Sequence, residues 1–122
     1  MTYLLDVSTI VALLWQTHAD HPRASAWAEG KRLAVCPLTE LGFVRVSTSP
    51  AFNLSMADAR KLLQGFILAA EFVPADLRVL DGAVAPSSAK TTDWYLADLA
   101  AKHGMKWATL DTRSSHPGAE VI

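Results

Sequence analysis

Tyr3-Leu4-Leu5-Asp6-Val7-Ser8-Thr9-Ile10-Val11-Ala12-Leu13-Leu14-Trp15 holds the junction on which the fold turns. Tyr3-Leu4-Leu5 is a short apolar run of the kind that forms a buried strand, and it stops at Asp6. Ser8 or a neighbour can then cap a helix running through Ile10–Trp15. A strand buried on both faces and followed at once by a helix is the building unit of a parallel sheet.

The same alternation continues along the chain. His21-Pro22 opens a helix carrying Ala24, Ala26, Trp27 and Ala28, closed by Gly30. Leu33-Ala34-Val35-Cys36 is a second buried strand, broken by Pro37, and a helix with Leu41, Val44 and Arg45 follows from near Thr39. Ser55-Met56-Ala57-Asp58 starts another, with Leu62, Leu63 and Phe66 on its buried face. Phe72-Val73 makes a third strand before Pro74, and a short helix is expected within Asp76–Ala85. Thr91-Thr92-Asp93 opens a helix that ends at His103-Gly104; Lys106–Leu110 is the next strand, and Glu120-Val121-Ile122 adds an edge strand. The expected architecture is a three-layer α/β fold, a short, mainly parallel sheet with helices on both faces. Ligands on such sheets gather outside the carboxyl ends of the strands.

Composition narrows the class. The chain has 122 residues, 51% apolar and 19% charged, which suits one folded domain spanning residues 1–122. Eleven basic against 12 acidic side chains leave a net charge of −1, so no global field advertises nucleic acid or an anionic membrane. The single cysteine, Cys36, excludes an internal disulfide framework and a cysteine zinc ribbon. Runs such as Ile10–Trp15 and Phe66–Ala70 fall far short of the roughly 18 residues that a membrane span needs. Met1-Thr2-Tyr3 has no basic n-region and Asp6 interrupts the apolar run, so a cytoplasmic protein without a secretory signal is expected.

Four acids deserve comparison by position. Asp6 and Asp111 each follow a strand directly, and Glu40 lies in the first turn of the helix after the second strand. Asp93 sits in the first turn of the helix that precedes the Lys106–Leu110 strand. A parallel sheet gathers the first three at its carboxyl edge, and Asp93 joins them if its helix also returns from that edge; a divalent cation there would offset their repulsion. Each also has an ordinary use: Asp6 as an N-cap, Glu40 and Asp93 in favourable interaction with a helix dipole, Asp111 as a turn residue. Their shared location is what favours chemistry.

Leu4-Leu5-Asp6-Val7-Ser8-Thr9-Ile10, Glu40-Leu41 with Arg45 beyond, Thr92-Asp93-Trp94-Tyr95-Leu96-Ala97-Asp98-Leu99-Ala100 and Thr109-Leu110-Asp111 resemble, in order and spacing, the motifs of PIN-domain ribonucleases. The likeness covers nearly the whole chain and is closest to VapC-type toxins of bacterial toxin–antitoxin pairs. It implies a metal-dependent endoribonuclease acting as a toxin, with an RNA substrate, a cognate antitoxin and a homodimer. By the same resemblance Asp6, Glu40, Asp93 and Asp111 are the metal-binding acids, for Mg2+ or Mn2+. Ser8 matches a small polar position beside the first acid, where the family often has Asn. Thr112-Arg113-Ser114 departs from the basic or acidic residue and aromatic that commonly follow the last acid.

Within that reading Asp6 and Asp93 are direct ligands, while Glu40 and Asp111 bind a second ion or orient waters. Ser8 positions the attacking water or a phosphate oxygen. Arg45 and Arg113 are candidates for the RNA backbone, since guanidinium grips phosphate bidentately; a surface salt bridge with Glu40 is the alternative use of Arg45. Asp98, five positions after Asp93, points roughly 140° away around the helix, towards solvent or another helix. His18, His21, His103 and His116, the last in the tail, read as structural rather than catalytic. Trp15, Trp27, Trp94 and Trp107 read as core or interface anchors, and Trp15, Trp27 and Phe66 as apolar surface for a dimer.

Two other functions remain open at this level. Asp6-Val7-Ser8-Thr9 is superficially similar to the nucleophile loop of haloacid-dehalogenase-type phosphatases, although Ser8 stands where that loop needs a second acid. A non-catalytic α/β interaction module with incidental acids is the other. No glycine-rich phosphate loop is present, which argues against nucleoside-triphosphate chemistry.

Overall fold

The structure, a computed structural model, describes residues 1–122. Its elements run β1 (Thr2–Leu5), α1 (Val7–Leu14), α2 (His21–Ala28), β2 (Arg32–Val35), α3 (Pro37–Ser47), α4 (Met56–Ile67), β3 (Glu71–Phe72), α5 (Thr91–Lys102), β4 (Lys106–Thr109) and β5 (Ala119–Val121). The five strands form one sheet in the order β3-β2-β1-β4-β5, and every neighbouring pair is parallel.

Side-chain alternation along the strands makes the three layers. Leu4, Ala34 and Trp107 face one side and pack with Leu96, Ala97, Leu99 and Ala100 of α5. Leu5, Val35 and Ala108 face the other and pack with Ile10 and Val11 of α1 and Phe43 of α3. In register, Leu4 pairs with Trp107 and Leu5 with Ala108, so a one-residue slip would turn every one of these side chains to the wrong face. The central strands are therefore apolar on both sides, as a sheet covered by helices requires.

Local details shift several expected boundaries. The third helix starts at Pro37 rather than near Thr39, because proline at the first helical position loses an N–H that has no partner there. Cys36 accordingly ends outside β2 and takes the N-cap position. Asp76–Ala85 contains only a single 3-10 turn, Val79–Asp81, in place of a short helix. The third strand covers Glu71–Phe72, though the Val73 N–H still donates to Val35 O at 2.8 Å.

Two glycines meet specific demands. Gly42 lets α3 approach α1, since a Cβ there would stand 2.4 Å from Val7 Cγ2. Gly104, at φ +69°, turns the chain from α5 into β4 through a left-handed conformation that only glycine adopts freely. The aromatic side chains expected on the surface are instead occupied internally. Trp15 packs on Phe52 at 4.9 Å, Trp27 on Tyr3 at 5.2 Å, and Phe66 lies half-buried against the α1/α3 core. Other large apolar side chains are exposed, among them Leu68, Val79, Leu80 and Val84.

No helix is long and apolar enough to cross a membrane.

Candidate functional site

Strand ends and helix starts build the site together. β1 stops at Leu5 because Asp6 leaves the ladder to cap α1: its carboxylate accepts from Ser8 N at 3.4 Å and from Ser8 Oγ at 3.1 Å. The Asp6 N–H is not orphaned, since it donates to Ala108 O at 3.0 Å. Two buried threonines fasten helices to the same edge, Thr9 Oγ1 donating to Ala108 O and Thr39 Oγ1 to Leu5 O. Thr109, the last residue of β4, donates its hydroxyl to Asp6 Oδ2 at 2.8 Å and accepts from Asp111 N at 3.0 Å. One threonine thereby orients both acids.

The electrostatics identify which acids share space. Asp6 is 7% exposed, and burial raises its pKa despite the hydrogen bonds from Thr109 and Ser8 that favour the charged form. Asp93, in the first turn of α5, is pushed up from 3.8 to about 6, first by desolvation and then by the charge of Asp6, with Asp111 adding to it and Lys90 opposing it. Asp111 is held down at about 2, chiefly by the Lys90 ammonium that ion-pairs with its Oδ2, and then by the Arg113 N–H. Asp6, Asp93 and Asp111 thus share the carboxyl edge: α5 does return from that edge, and so brings Asp93 to the acids that follow β1 and β4.

Glu40 takes a different environment. It sits in the first turn of α3, is not among the charges that shift Asp93, and lines a groove of about 620 Å³ between α3 and α4 with Leu41, Val44, Arg60, Leu63 and Ile67. Arg45 lies exposed in the last turn of α3, and the salt bridge to Glu40 envisaged for it does not form. Arg113 does belong to the site: its Nε lies 3.4 Å from Asp111 Oδ1, with the side chain 85% exposed.

Asp98 turns away from the acids and stays partly open to solvent, and it meets a loop and the C-terminal segment rather than another helix. Its Oδ1 accepts from His116 Nε2 at 2.8 Å and its Oδ2 from Ala83 N at 2.9 Å. Gly118 N donates to His116 Nδ1 at 2.9 Å, which places the ring proton on Nε2. His116, read as part of an open tail, is buried and stacks edge-on against Trp94 at 4.8 Å. This network ties α5 to the Ala83 loop and to the C-terminal segment, and its role is structural.

Lys90 and Thr109 were not among the expected site residues, yet each contacts an acid. Lys90 carried a signal, because a cation just before a helix opposes the helix dipole and calls for an anion nearby. Thr109 carried one too, as a hydroxyl closing an apolar strand.

The donor chemistry suits a hard divalent cation: carboxylate oxygens at the ends of two helices, one of them ionising only near pH 6 in the company of the others. As the side chains stand, no three His, Cys, Asp or Glu form a ready ligand group, and Asp111 holds Lys90 instead. A cation would be held by Asp6 and Asp93, with Asp111 once it is released.

Known proteins resemble this chain in sequence and in fold. The PIN domain family model matches residues 3–119. Ribonuclease VapC38 of Mycobacterium tuberculosis is 36% identical over 118 residues, covering 88% of this chain and 84% of its own. Ribonuclease VapC44 of the same organism is 37% identical over 123 residues, covering 91% and 87%. Among solved structures, a DNA-bound VapBC2 from Rickettsia felis aligns with a TM-score of 0.67 at 13% identity, covering 100% of this chain and 99% of its own. DNA-bound VapBC from Salmonella typhimurium aligns at 0.66 and 14% identity, covering 100% and 97%. These two likenesses are of fold.

Proposed function

The chain belongs to the PIN domain family, and on that footing we propose that it is a divalent-metal-dependent endoribonuclease, the toxin of a toxin–antitoxin pair acting in the cytoplasm. The observation that carries the reading is the convergence of Asp6, Asp93 and Asp111 at the carboxyl edge of a parallel sheet, where the charges of Asp6 and Asp111 raise the cost of ionising Asp93. Bound there, Mg2+ or Mn2+ supplies a water nucleophile at neutral pH and positive charge against the scissile phosphate.

The chain's own residues do the rest. Thr109 and Ser8 fix the Asp6 carboxylate through two hydroxyl hydrogen bonds, so its oxygens need no reorganisation when an ion arrives. Ser8 therefore acts first on Asp6, and on water or phosphate only through it. Asp93 presents its carboxylate from a helix N-terminus, which favours the ionised form once a cation offsets its neighbours. Arg113, beside Asp111 and open to solvent, is placed to meet an RNA phosphate. Arg45, exposed and unpaired on α3, is a second and more distant backbone contact. Glu40 serves from the rim of the site, on waters or a second ion, rather than among the three central acids.

The partner reading rests on relatives named as VapBC complexes. The α3/α4 groove, apolar at Leu41, Val44, Leu63 and Ile67 and flanked by Glu40 and Arg60, offers an antitoxin segment a surface of mixed character. Exposed Val79, Leu80 and Val84 offer the apolar surface for a homodimer.

Purified protein, freed of antitoxin, is expected to cleave cellular RNA with Mg2+ or Mn2+, to stop on chelation, and to release no phosphate from a small phosphomonoester. Phosphate release without RNA cleavage would support the phosphatase reading instead, and activity on neither would support a binding module.

A further inference from the structure

A cation already sits among the acids. Lys90 ends the 3-10 turn Ser88–Lys90, directly before α5, and its Nζ ion-pairs with Asp111 Oδ2. Both side chains are largely sheltered, 27% and 21% exposed, so water screens the pair less than it would at the surface. The helix dipole opposes an ammonium at this position, and Asp111 is the only acid that offsets it by direct contact. The other partner of the Asp111 carboxylate, Arg113, is 85% exposed and approaches the opposite oxygen.

We propose that Lys90 is the resident counter-ion of the acidic site, and that a divalent cation must displace it from Asp111 in order to bind. This rests on the metal-dependent reading above. The exchange suits lysine better than arginine. An ammonium is a compact charge on a flexible four-carbon stem and makes one contact here, whereas a guanidinium would grip both carboxylate oxygens. Lys90 is thus a positioning residue: it keeps Asp111 in place and neutralised without the ion, and raises the metal concentration at which the site fills.

Calorimetric titration with Mn2+ at fixed pH and ionic strength tests this on the full chain without reference to activity. The set comprises the wild type, Lys90→Met, Lys90→Arg and Lys102→Met, whose lysine pairs with Asp76 at the far end of α5. Lys90→Met is expected to bind Mn2+ about tenfold more tightly than the wild type. Lys90→Arg should bind no more tightly than the wild type, and Lys102→Met should match it. Equal or weaker binding by Lys90→Met would overturn the exchange while leaving the metal reading in place. An equal gain in Lys102→Met would also overturn it, because net charge alone would then explain the effect. Absence of Mn2+ binding in every protein would overturn the metal reading itself.

Discussion

Replacing Asp93 by Asn is expected to stop RNA cleavage and, in the same variant, to raise the melting temperature of the metal-free protein. Both effects have one cause. Asp93 is half-buried beside Asp6 and Asp111, and its pKa lies at about 6 rather than 3.8. An acid whose pKa is raised by folding costs stability as the pH climbs from its unfolded value through its folded one. The full cost is therefore present at neutral pH. The near-isosteric amide removes that cost but also removes the charge proposed to hold the ion. On the proposed metal-dependent mechanism several kcal/mol of transition-state stabilisation would ride on the ion, so cleavage should fall at least about a hundredfold.

Asp98→Asn reverses both signs. Its position five residues on is roughly 140° around the helix, and its carboxylate is committed to His116 and Ala83 N. An amide can accept from only one of these donors and sets its own NH2 against the other, at a cost of about 1–3 kcal/mol. Cleavage should survive while thermal stability drops. Cleavage by Asp93→Asn at the wild-type rate, with its loss in an equally folded Asp98→Asn, would force the site to be redrawn around Asp98.

The second large effect is on stability. Trp107 is fully buried in β4, which lies between β1 and β5, and packs in the same core as Leu4 and the inward face of α5. Trp107→Ala opens a cavity that a backbone hydrogen-bonded on both sides cannot close, and should cost about 3–5 kcal/mol by denaturant titration. Trp107→Phe should cost clearly less. The indole Nε1 is buried without a hydrogen-bond partner, so the smaller ring also removes an unsatisfied donor. A loss below about 1 kcal/mol in Trp107→Ala would mean that this side of the core can collapse.

These two variants touch parts of the molecule that differed in how far the sequence exposed them. Leu4-Leu5 and Lys106–Thr109 are legible because a strand covered on both faces is apolar without interruption. Asp6 is legible because a cap directly after such a strand can lie only at the sheet's carboxyl edge. Asp93 follows from the helix start at Thr91-Thr92. The family motifs marked all four acids, but not that Glu40 also opens onto the groove between α3 and α4.

The pairs that finish the site were harder to read. Lys90 meets Asp111 across 21 residues, and Asp98 meets His116 across 18. Both contacts depend on the path of α5 and the segment beyond β4, which no local spacing encodes. Pro37 misled for a local reason: a residue that breaks a strand also starts a helix well. The aromatic surplus of Trp15 and Trp27 misled for a packing reason, because each found an aromatic partner within the fold.

The central claim is that the acids at the sheet edge direct solvent water onto an RNA phosphodiester with the help of a divalent ion. Cleavage of a defined RNA in 18O-labelled water under single-turnover conditions, with the product ends resolved by mass spectrometry, tests it most directly. We expect Mg2+- or Mn2+-dependent fragments with linear phosphate ends carrying one solvent oxygen, and no such fragments from Asp93→Asn. Ends bearing a 2′,3′-cyclic phosphate, formed equally well in chelator, would show attack by the RNA's own 2′-hydroxyl and would contradict the account.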